Sequence, residues 1–167
     1  MNLANNVFSG SRPVRLITGM NPESRIFFSL LNQPAQINQR AIGFMPKTDD
    51  INLELCHALL NSVIGIFFIE ATGFPKGLDA LDNSASKIAK AFMLDPRKLP
   101  VTDANRILDA FKPLLERKVK MTEDEYTLPD RLNFEHVVAK CFGYDSEFNR
   151  IKDCVLKMMR VRLSVKK

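Results

Sequence analysis

The most apolar part of the chain, residues 51–71, places the strongest constraint on the fold. Its apolar side chains recur three and four positions apart, the spacing of one face of an α-helix: they are Leu55, Cys56, Leu59, Leu60, Val63, Ile64, Phe67 and Phe68. Asp50 can cap the first turn, and Gly73 can end the last. The pattern predicts one helix of about five turns. A membrane-spanning helix needs about 20 consecutive apolar residues, and polar residues interrupt this run, so we expect a buried core helix.

Three short segments before this helix have the composition of β-strands. They cover residues 14–18, 25–31 and 37–45, and Gly, Asn and Pro residues separate them. Gly43 lies inside the third segment, where a glycine is compatible with a β-bulge. Their order predicts a small antiparallel sheet.

The last third of the chain has the pattern of helices. One helix is expected from about residue 102 to about residue 120, and Pro113 would kink or divide it. Residues 121–127 are interpreted as a solvated linker. Another helix begins at Pro129 and stops at Gly143. The inner face of the final helix is predicted to consist of four apolar residues: Phe148, Ile151, Val155 and Met158.

These elements predict an α+β fold, with a small antiparallel sheet packed on a long apolar helix and followed by a helical C-terminal part. Residues 74–84 are expected to form a loop, and residues 85–91 fit either a short strand or a short helix. We expect two domains, an α+β domain over residues 1–100 and a helical subdomain over residues 101–167.

The net charge of +5 is unevenly distributed along the chain. Residues 1–47 have a balance of +4, residues 48–149 a balance of −5, and residues 150–167 a balance of +6. Opposed basic segments could line a surface that receives a polyanion. The alternative is that the basic C-terminal run forms a solvated helix face and that the other charged side chains are scattered without a common surface.

Catalytic and metal-binding motifs were sought and not found. With only two histidines, His57 and His136, no recognisable nucleophile–base motif is present. The paired Cys and His spacings of zinc sites and the glycine-rich phosphate loops are also absent. His57 follows Cys56 in the apolar run, which favours a core histidine with one hydrogen bond. The odd number of cysteines, three, favours reduced thiols and a cytoplasmic protein.

Several stretches together resemble a known family. Residues 38–47, Asn-Gln-Arg-Ala-Ile-Gly-Phe-Met-Pro-Lys, are followed by residues 55–62, Leu-Cys-His-Ala-Leu-Leu-Asn-Ser, and by the rest of the apolar run. Residues 77–82 and a strand-like segment over residues 85–95 come next, and residues 130–143 precede a basic C-terminal helix. The combination resembles the region downstream of the catalytic domain in adenine-specific DNA methyltransferases of restriction–modification systems, over roughly residues 36–165.

The resemblance implies a DNA-binding target-recognition and C-terminal domain. The catalytic half of this family carries an S-adenosylmethionine-binding glycine motif and an Asn/Asp-Pro-Pro-aromatic motif that holds the flipped adenine. Neither motif occurs in this sequence. We therefore expect no catalytic residue, no metal and no cofactor in this chain, and we expect no methyl transfer by it alone. S-adenosylmethionine is expected in the parent enzyme, and the chain is interpreted as an excised domain or a separately encoded remnant.

Candidate DNA contacts follow from side-chain chemistry. Arginine reads guanine bidentately, and asparagine or glutamine reads adenine, so Asn38, Gln39 and Arg40 are candidate base contacts. A role at the start of the strand explains them equally well. Three lysines around Gly77 are candidate phosphate contacts, with plain solvent exposure as the alternative: they are Lys76, Lys87 and Lys90.

The expected partners are double-stranded DNA and a catalytic methyltransferase domain or subunit, and no membrane. The alternative function is a protein–protein docking domain of a restriction–modification complex. In that alternative, the apolar helix and the basic C-terminal helix hold the partner subunit.

Overall fold

Three antiparallel strands in the order β2-β1-β3 form one layer of the computed structural model, which describes residues 12–22, 25–75 and 81–164. The strands are β1 (Val14–Gly19), β2 (Phe28–Ala35) and β3 (Ala41–Phe44). The predicted α+β class and the antiparallel sheet are confirmed. β2 begins three residues later than predicted and continues through Pro34, which an edge strand tolerates because its outer N–H groups have no partner.

Gly43 does not form a bulge. β1 and β3 pair in regular register through Gly43, and the irregularity lies between β1 and β2, where the step from Val14 to Leu16 faces the longer step from Leu30 to Ala35. A Cβ on Gly43 would lie 2.6 Å from Cγ2 of Val14. The glycine therefore allows the Val14 side chain to pack directly on the backbone of β3.

The prediction of a single five-turn helix is wrong. The apolar run forms α1 (Leu53–Asn61) and α2 (Val63–Thr72), whose axes differ by 71°. Ser62 separates them in an extended conformation, and its hydroxyl oxygen accepts a hydrogen bond from the Gly65 amide at 3.3 Å. A serine that caps a new helix competes with continuation of the old one, which is the physical reason for the break.

The ends of the two helices also differ in part from expectation. Asn52, and not Asp50, caps α1 by accepting a hydrogen bond from the Leu55 amide at 2.8 Å. Gly73 follows the last residue of α2, as predicted. Within the described ranges, no single helix has the length and hydropathy of a membrane span, whereas α1 and α2 together meet that test as a bent pair.

The remaining elements are two-residue strands, 3₁₀ turns and helices of different lengths. Phe74–Pro75 (β4) pairs with Leu81–Asp82 (β5), and Pro96–Lys98 and Asp145–Glu147 are 3₁₀ turns. The helices that complete the fold are α3 (Ala85–Ile88), α4 (Val101–Leu115), α5 (Thr122–Glu125), α6 (Pro129–Phe142) and α7 (Phe148–Ser164).

Two predictions for residues 102–127 need correction. The helix that contains Pro113 ends at Leu115 and not near residue 120, and it continues through Pro113 without dividing. The expected linker over residues 121–127 contains α5, and Thr122 and Glu125 of that helix are buried. Burial of a carboxylate in this segment depends on distant arginines, which a local pattern does not reveal.

α6 begins at Pro129 and ends at Gly143, as predicted, with Gly143 at φ +75°. On α7, Met159 is buried in place of the predicted Met158, and Ile151 is half-buried. α7 packs against α2, and its position there is determined in part by Arg162, which pairs with Glu70 of α2 at 2.7 Å.

Two apolar clusters make up the core. The first joins the sheet and α2 to α7, and the second joins α1 to α4 and α6. Each contains residues from before and after residue 100, so the two predicted domains share both cores. The boundary itself stays a prediction.

Replacement of Gly65 by alanine should destabilise the fold, because the new Cβ would lie 2.5 Å from the carbonyl oxygen of Leu59 and 2.7 Å from that of Leu60. The backbone must move to relieve these contacts, and we expect a loss of about 1–3 kcal/mol in the free energy of unfolding, measured by urea denaturation. Gly19→Ala is the matched control, since no described atom lies within 4 Å of its Cβ position. Equal stability losses in the two variants would contradict the role of Gly65.

Candidate functional site

The predicted base-reading residues lie in the exposed turn between β2 and β3. The Oδ1 atom of Asn38 accepts a hydrogen bond from the Arg40 amide at 2.9 Å, and the Asn38 carbonyl accepts one from the Ala41 amide. Asn38 therefore holds the turn that starts β3, as the structural alternative predicted. Gln39 and Arg40 extend from the same turn and are exposed.

The predicted phosphate contacts lie near α3 where the structure describes them. Lys87 is a half-buried residue of α3, and Lys90 is exposed just after it. Lys76 falls outside the described residues. The segment predicted as a strand or a helix is thus a short helix that carries one lysine and is followed by another.

Met20 joins the two segments that carry the described members of the predicted sets. Its amide donates to the Arg40 carbonyl at 2.9 Å, and its carbonyl accepts from the Asn83 amide at 3.0 Å. Asn83 leads directly into α3. We use the name basic edge for four residues of these two segments, Gln39, Arg40, Lys87 and Lys90.

An exposed aromatic side chain follows α3. Phe92 is 75% exposed, and its ring lies 5.6 Å from that of Phe68 on α2. Met93 is also exposed. Aromatic and apolar side chains beside lysines are a combination that nucleic-acid-binding proteins use for stacking and wedging.

A second constellation lies at the break between α1 and α2, where two backbone groups lack helical partners. Arg131 of α6 donates to the Asn61 carbonyl at 2.6 Å, and the Val63 amide donates to both carboxylate oxygens of Glu135 at 2.9 Å. Arg131 and Glu135 also pair with each other at 2.5 Å, one turn apart on α6. They are 4% and 0% exposed. This buried pair therefore satisfies the broken helix from a distant element.

The sequence patterns did not predict the buried pair. Its signal was present, since Arg131 and Glu135 stand four residues apart on the predicted α6 and so share one face with the apolar positions. Burial would lower the pKa of the Arg131 guanidinium, yet the carboxylate of Glu135 leaves that pKa raised. The guanidinium also lies 4.9 Å from the centre of the Tyr126 ring, and burial raises the pKa of Tyr126 to about 12.

Another arginine, Arg117, pairs with carboxylates beside the buried pair. Arg117 donates to Glu125 at 2.7 Å and to Asp130 at 2.5 Å, and these two bonds raise its pKa. Arg25 contacts Glu125 at 3.5 Å and donates to the Lys120 carbonyl. Burial opposes ionisation of Glu125, but Arg117 and the Lys120 amide hold the pKa of its carboxyl below the ordinary value.

A pocket of about 280 Å³ opens beside these arginines, between the start of β2, α1 and α4. His57 lines it, and its Nε2 must carry the proton because its partner at 2.9 Å, the Phe28 carbonyl, can only accept. Asn61 donates to the same carbonyl and accepts from the Phe28 amide, both at 3.0 Å. The prediction of a buried core histidine with one hydrogen bond is confirmed.

Comparison with protein-family models, with curated proteins and with solved structures found no match. Among the described residues, no group of three His, Cys, Asp or Glu side chains is arranged to hold a metal ion. The resemblance, and the expectations for partners, cofactor and location, stay predictions.

Glu135→Ala should destabilise the protein strongly, because it leaves the buried Arg131 charge and the Val63 amide without their partner. We expect a loss of about 3–5 kcal/mol in the free energy of unfolding, measured by urea denaturation. Glu123→Ala is the matched control, since Glu123 forms an exposed pair with Arg160 and should contribute at most about 1 kcal/mol. A loss at Glu135 no larger than at Glu123 would show that the pair does not support the break.

His57 should make the protein less stable as the pH falls. Burial lowers its pKa below the ordinary 6.5, so in the window just below about pH 6.5 the unfolded chain binds a proton that the native histidine does not. The free energy of unfolding should therefore fall as the pH drops through this window. His57→Gln should flatten that slope in urea denaturation curves recorded between about pH 5 and 7.5. An unchanged slope in the variant would assign it to other groups.

Proposed function

We propose that this chain is the DNA-binding target-recognition and C-terminal module of an adenine-specific DNA methyltransferase from a restriction–modification system. The proposal draws on the family resemblance of residues 36–165 and on one structural observation. The hydrogen bonds of Met20 hold the Arg40 turn and the segment that enters α3 together, which supports a common role for the residues of the basic edge.

Two of the stretches that carry the resemblance meet in three dimensions, residues 55–62 and 130–143. Residues 38–47 form the turn and strand β3, and residues 55–62 end at the break between α1 and α2. Residues 130–143 lie on α6, whose Arg131 and Glu135 satisfy that break. A set of matching segments that pack as one unit supports a shared fold better than scattered matches do.

The basic edge is proposed to bind duplex DNA through two kinds of contact. Arg40 offers a guanidinium fork for O6 and N7 of guanine, and Gln39 offers a carboxamide for adenine. Asn38 holds the turn, which leaves its neighbours to read the bases. Lys87 and Lys90 contact phosphates, which orient the duplex without reading its sequence, and Lys76 belongs to the same predicted set.

Methyl transfer itself is assigned to a separate catalytic domain or subunit. That partner would supply S-adenosylmethionine and the adenine-holding motif, which this sequence lacks. The role of this chain is to bind the duplex and to present the target sequence to the partner.

Protein–protein docking is the second candidate function. The observation that favours it is an apolar groove of about 360 Å³ lined by residues of β3, α1 and the segment before Pro96, together with the exposed Phe92. Docking predicts that the chain self-associates or binds a partner subunit in a manner insensitive to salt. DNA binding through the basic edge predicts instead that the affinity falls steeply as the salt concentration rises.

Duplex DNA should bind the isolated chain at low salt and should bind it much more weakly as salt rises from about 50 to about 200 mM, because each neutralised phosphate releases counterions. Fluorescence anisotropy with a labelled duplex measures this. Lys90→Ala should weaken binding to every sequence alike and reduce the slope of log affinity against log salt by about 1. Lys112→Ala is the matched control, because this exposed lysine pairs with Asp109 on α4. Absence of binding at low salt would overturn the proposal.

Arg40→Ala should relax sequence preference, because loss of a bidentate guanine contact costs about 1–3 kcal/mol of discrimination at one position. Selection from a randomised duplex pool, followed by anisotropy on the enriched sites, measures the preference. Arg106→Ala provides the comparison, since this exposed arginine pairs with Asp103 on α4. If the Arg40 variant kept the native preference, the base-reading role of this turn would be wrong.

A further inference from the structure

The pocket beside the arginines has the features of a ligand site that the proposed DNA contacts do not use. It has a volume of about 280 Å³, close to the lower end of ligand pockets, which begin at about 300 Å³. Apolar side chains form its walls: they are Phe27, Phe28, Leu30, Phe111, Leu114, Leu115 and Val119. Phe27 is 48% exposed at the surface, so one aromatic ring is open to contact from solvent.

The polar side of the pocket carries more positive than negative groups. Arg25, Arg117 and Arg131 line it, and Glu125 is its only lining carboxylate among the described residues. Arg117 and Arg131 are held by short ion pairs, whereas Arg25 lies 3.5 Å from Glu125, which Arg117 already engages at 2.7 Å. Arg25 is therefore the least compensated cation of the pocket.

Two buried donors of this pocket lack an acceptor. The Nε atoms of Arg25 and Arg131 are both buried and have no hydrogen-bond partner in the described part of the chain. Arg131 is more than nine-tenths buried. A buried donor without an acceptor is unfavourable by about 1–3 kcal/mol, so an acceptor group that reached either Nε atom from the pocket would be stabilised.

Electrostatics agrees with this geometry. Burial lowers the pKa of the Arg25 guanidinium, Glu125 opposes that effect, and the positive charges of Arg131 and Arg117 add smaller contributions to it. An anion beside Arg25 would favour its charged form.

We propose that this pocket binds a small organic anion, with a phosphate or carboxylate group at Arg25 and a single aromatic ring against Phe27 and the apolar wall. The head group accepts hydrogen bonds from guanidinium donors at the pocket, and a guanidinium suits both oxyanions because its N–H groups match their oxygens in pairs. The volume of about 280 Å³ is sufficient for one aromatic ring and its head group. This site is independent of the basic edge and of DNA binding.

Titration of the ¹⁵N-labelled full chain with three probes tests the proposal. Phenyl phosphate, benzoate or both should shift the amide signals of residues 27–30 and 117–120 in a saturable way, and benzyl alcohol, a neutral compound with the same ring, should bind at least tenfold more weakly. The difference between phenyl phosphate and benzoate identifies the preferred head group. Duplex DNA serves as a fourth probe and should leave these signals unshifted.

Variants assign the binding to named residues. Arg25→Gln should weaken binding of the better probe at least tenfold, and Arg160→Gln, at an exposed ion pair with Glu123, should leave it unchanged. Phe27→Ala tests the wall without removing a buried charge, and it should weaken phenyl phosphate or benzoate at least threefold. The melting temperature of each variant is measured beside its affinity, so a loss of folding is separated from a loss of binding.

Three outcomes would overturn the proposal. In the first, benzyl alcohol binds as well as the two anions, or none of the three binds. In the second, a folded Phe27→Ala or Arg25→Gln chain binds the anions like the native one, or only DNA shifts the signals. In the third, a crystal soaked in phenyl phosphate or benzoate shows only a water joining the two Nε donors, in the cavity of about 10 Å³ behind them.

Discussion

The buried pair of Arg131 and Glu135 is the interaction on which the rest of the structure depends. The chain breaks its most apolar segment at Ser62 and leaves a carbonyl and an amide inside the core, where unpaired polar groups are unfavourable. The pair from α6 satisfies both groups and balances its own charges. Helix break and ion pair therefore require each other.

The same junction positions the surfaces to which we assign function. Asn61, the last residue of α1, binds the backbone of Phe28 through its side chain and so attaches the start of β2 to the helix. β2 leads to the turn that carries Arg40, and residues just before it provide Arg25 and Phe27 to the pocket. Arg131 takes part in both the junction and the pocket wall. One polar network thus connects the core, the pocket and, through the sheet, the basic edge.

Local pattern predicted much of the fold and a smaller part of the candidate sites. β1, the antiparallel sheet and α6 followed from turn residues, alternation and the signals of Pro129 and Gly143, which act over a few residues. The third strand was predicted over residues 37–45, but it covers only Ala41–Phe44, so residues 38–40 lie in a turn that the pattern did not predict. The pocket was not predicted either, because Arg25, His57 and Arg117 come from separate segments and have no spacing that relates them. Glu125 was assigned to a solvated linker for the same reason.

The sequence by itself determined the α+β class, the turn chemistry and the apolar faces, because these depend on side chains that are neighbours along the chain. Only the tertiary structure decided that the apolar run bends by 71°, since Ser62 can stay inside a helix or cap a new one. The choice depends on whether a distant arginine and glutamate satisfy the freed backbone groups. The tertiary structure also decided which arginines are paired with carboxylates and which are not. Burial and charge pairing depend on packing between helices that lie far apart in the chain.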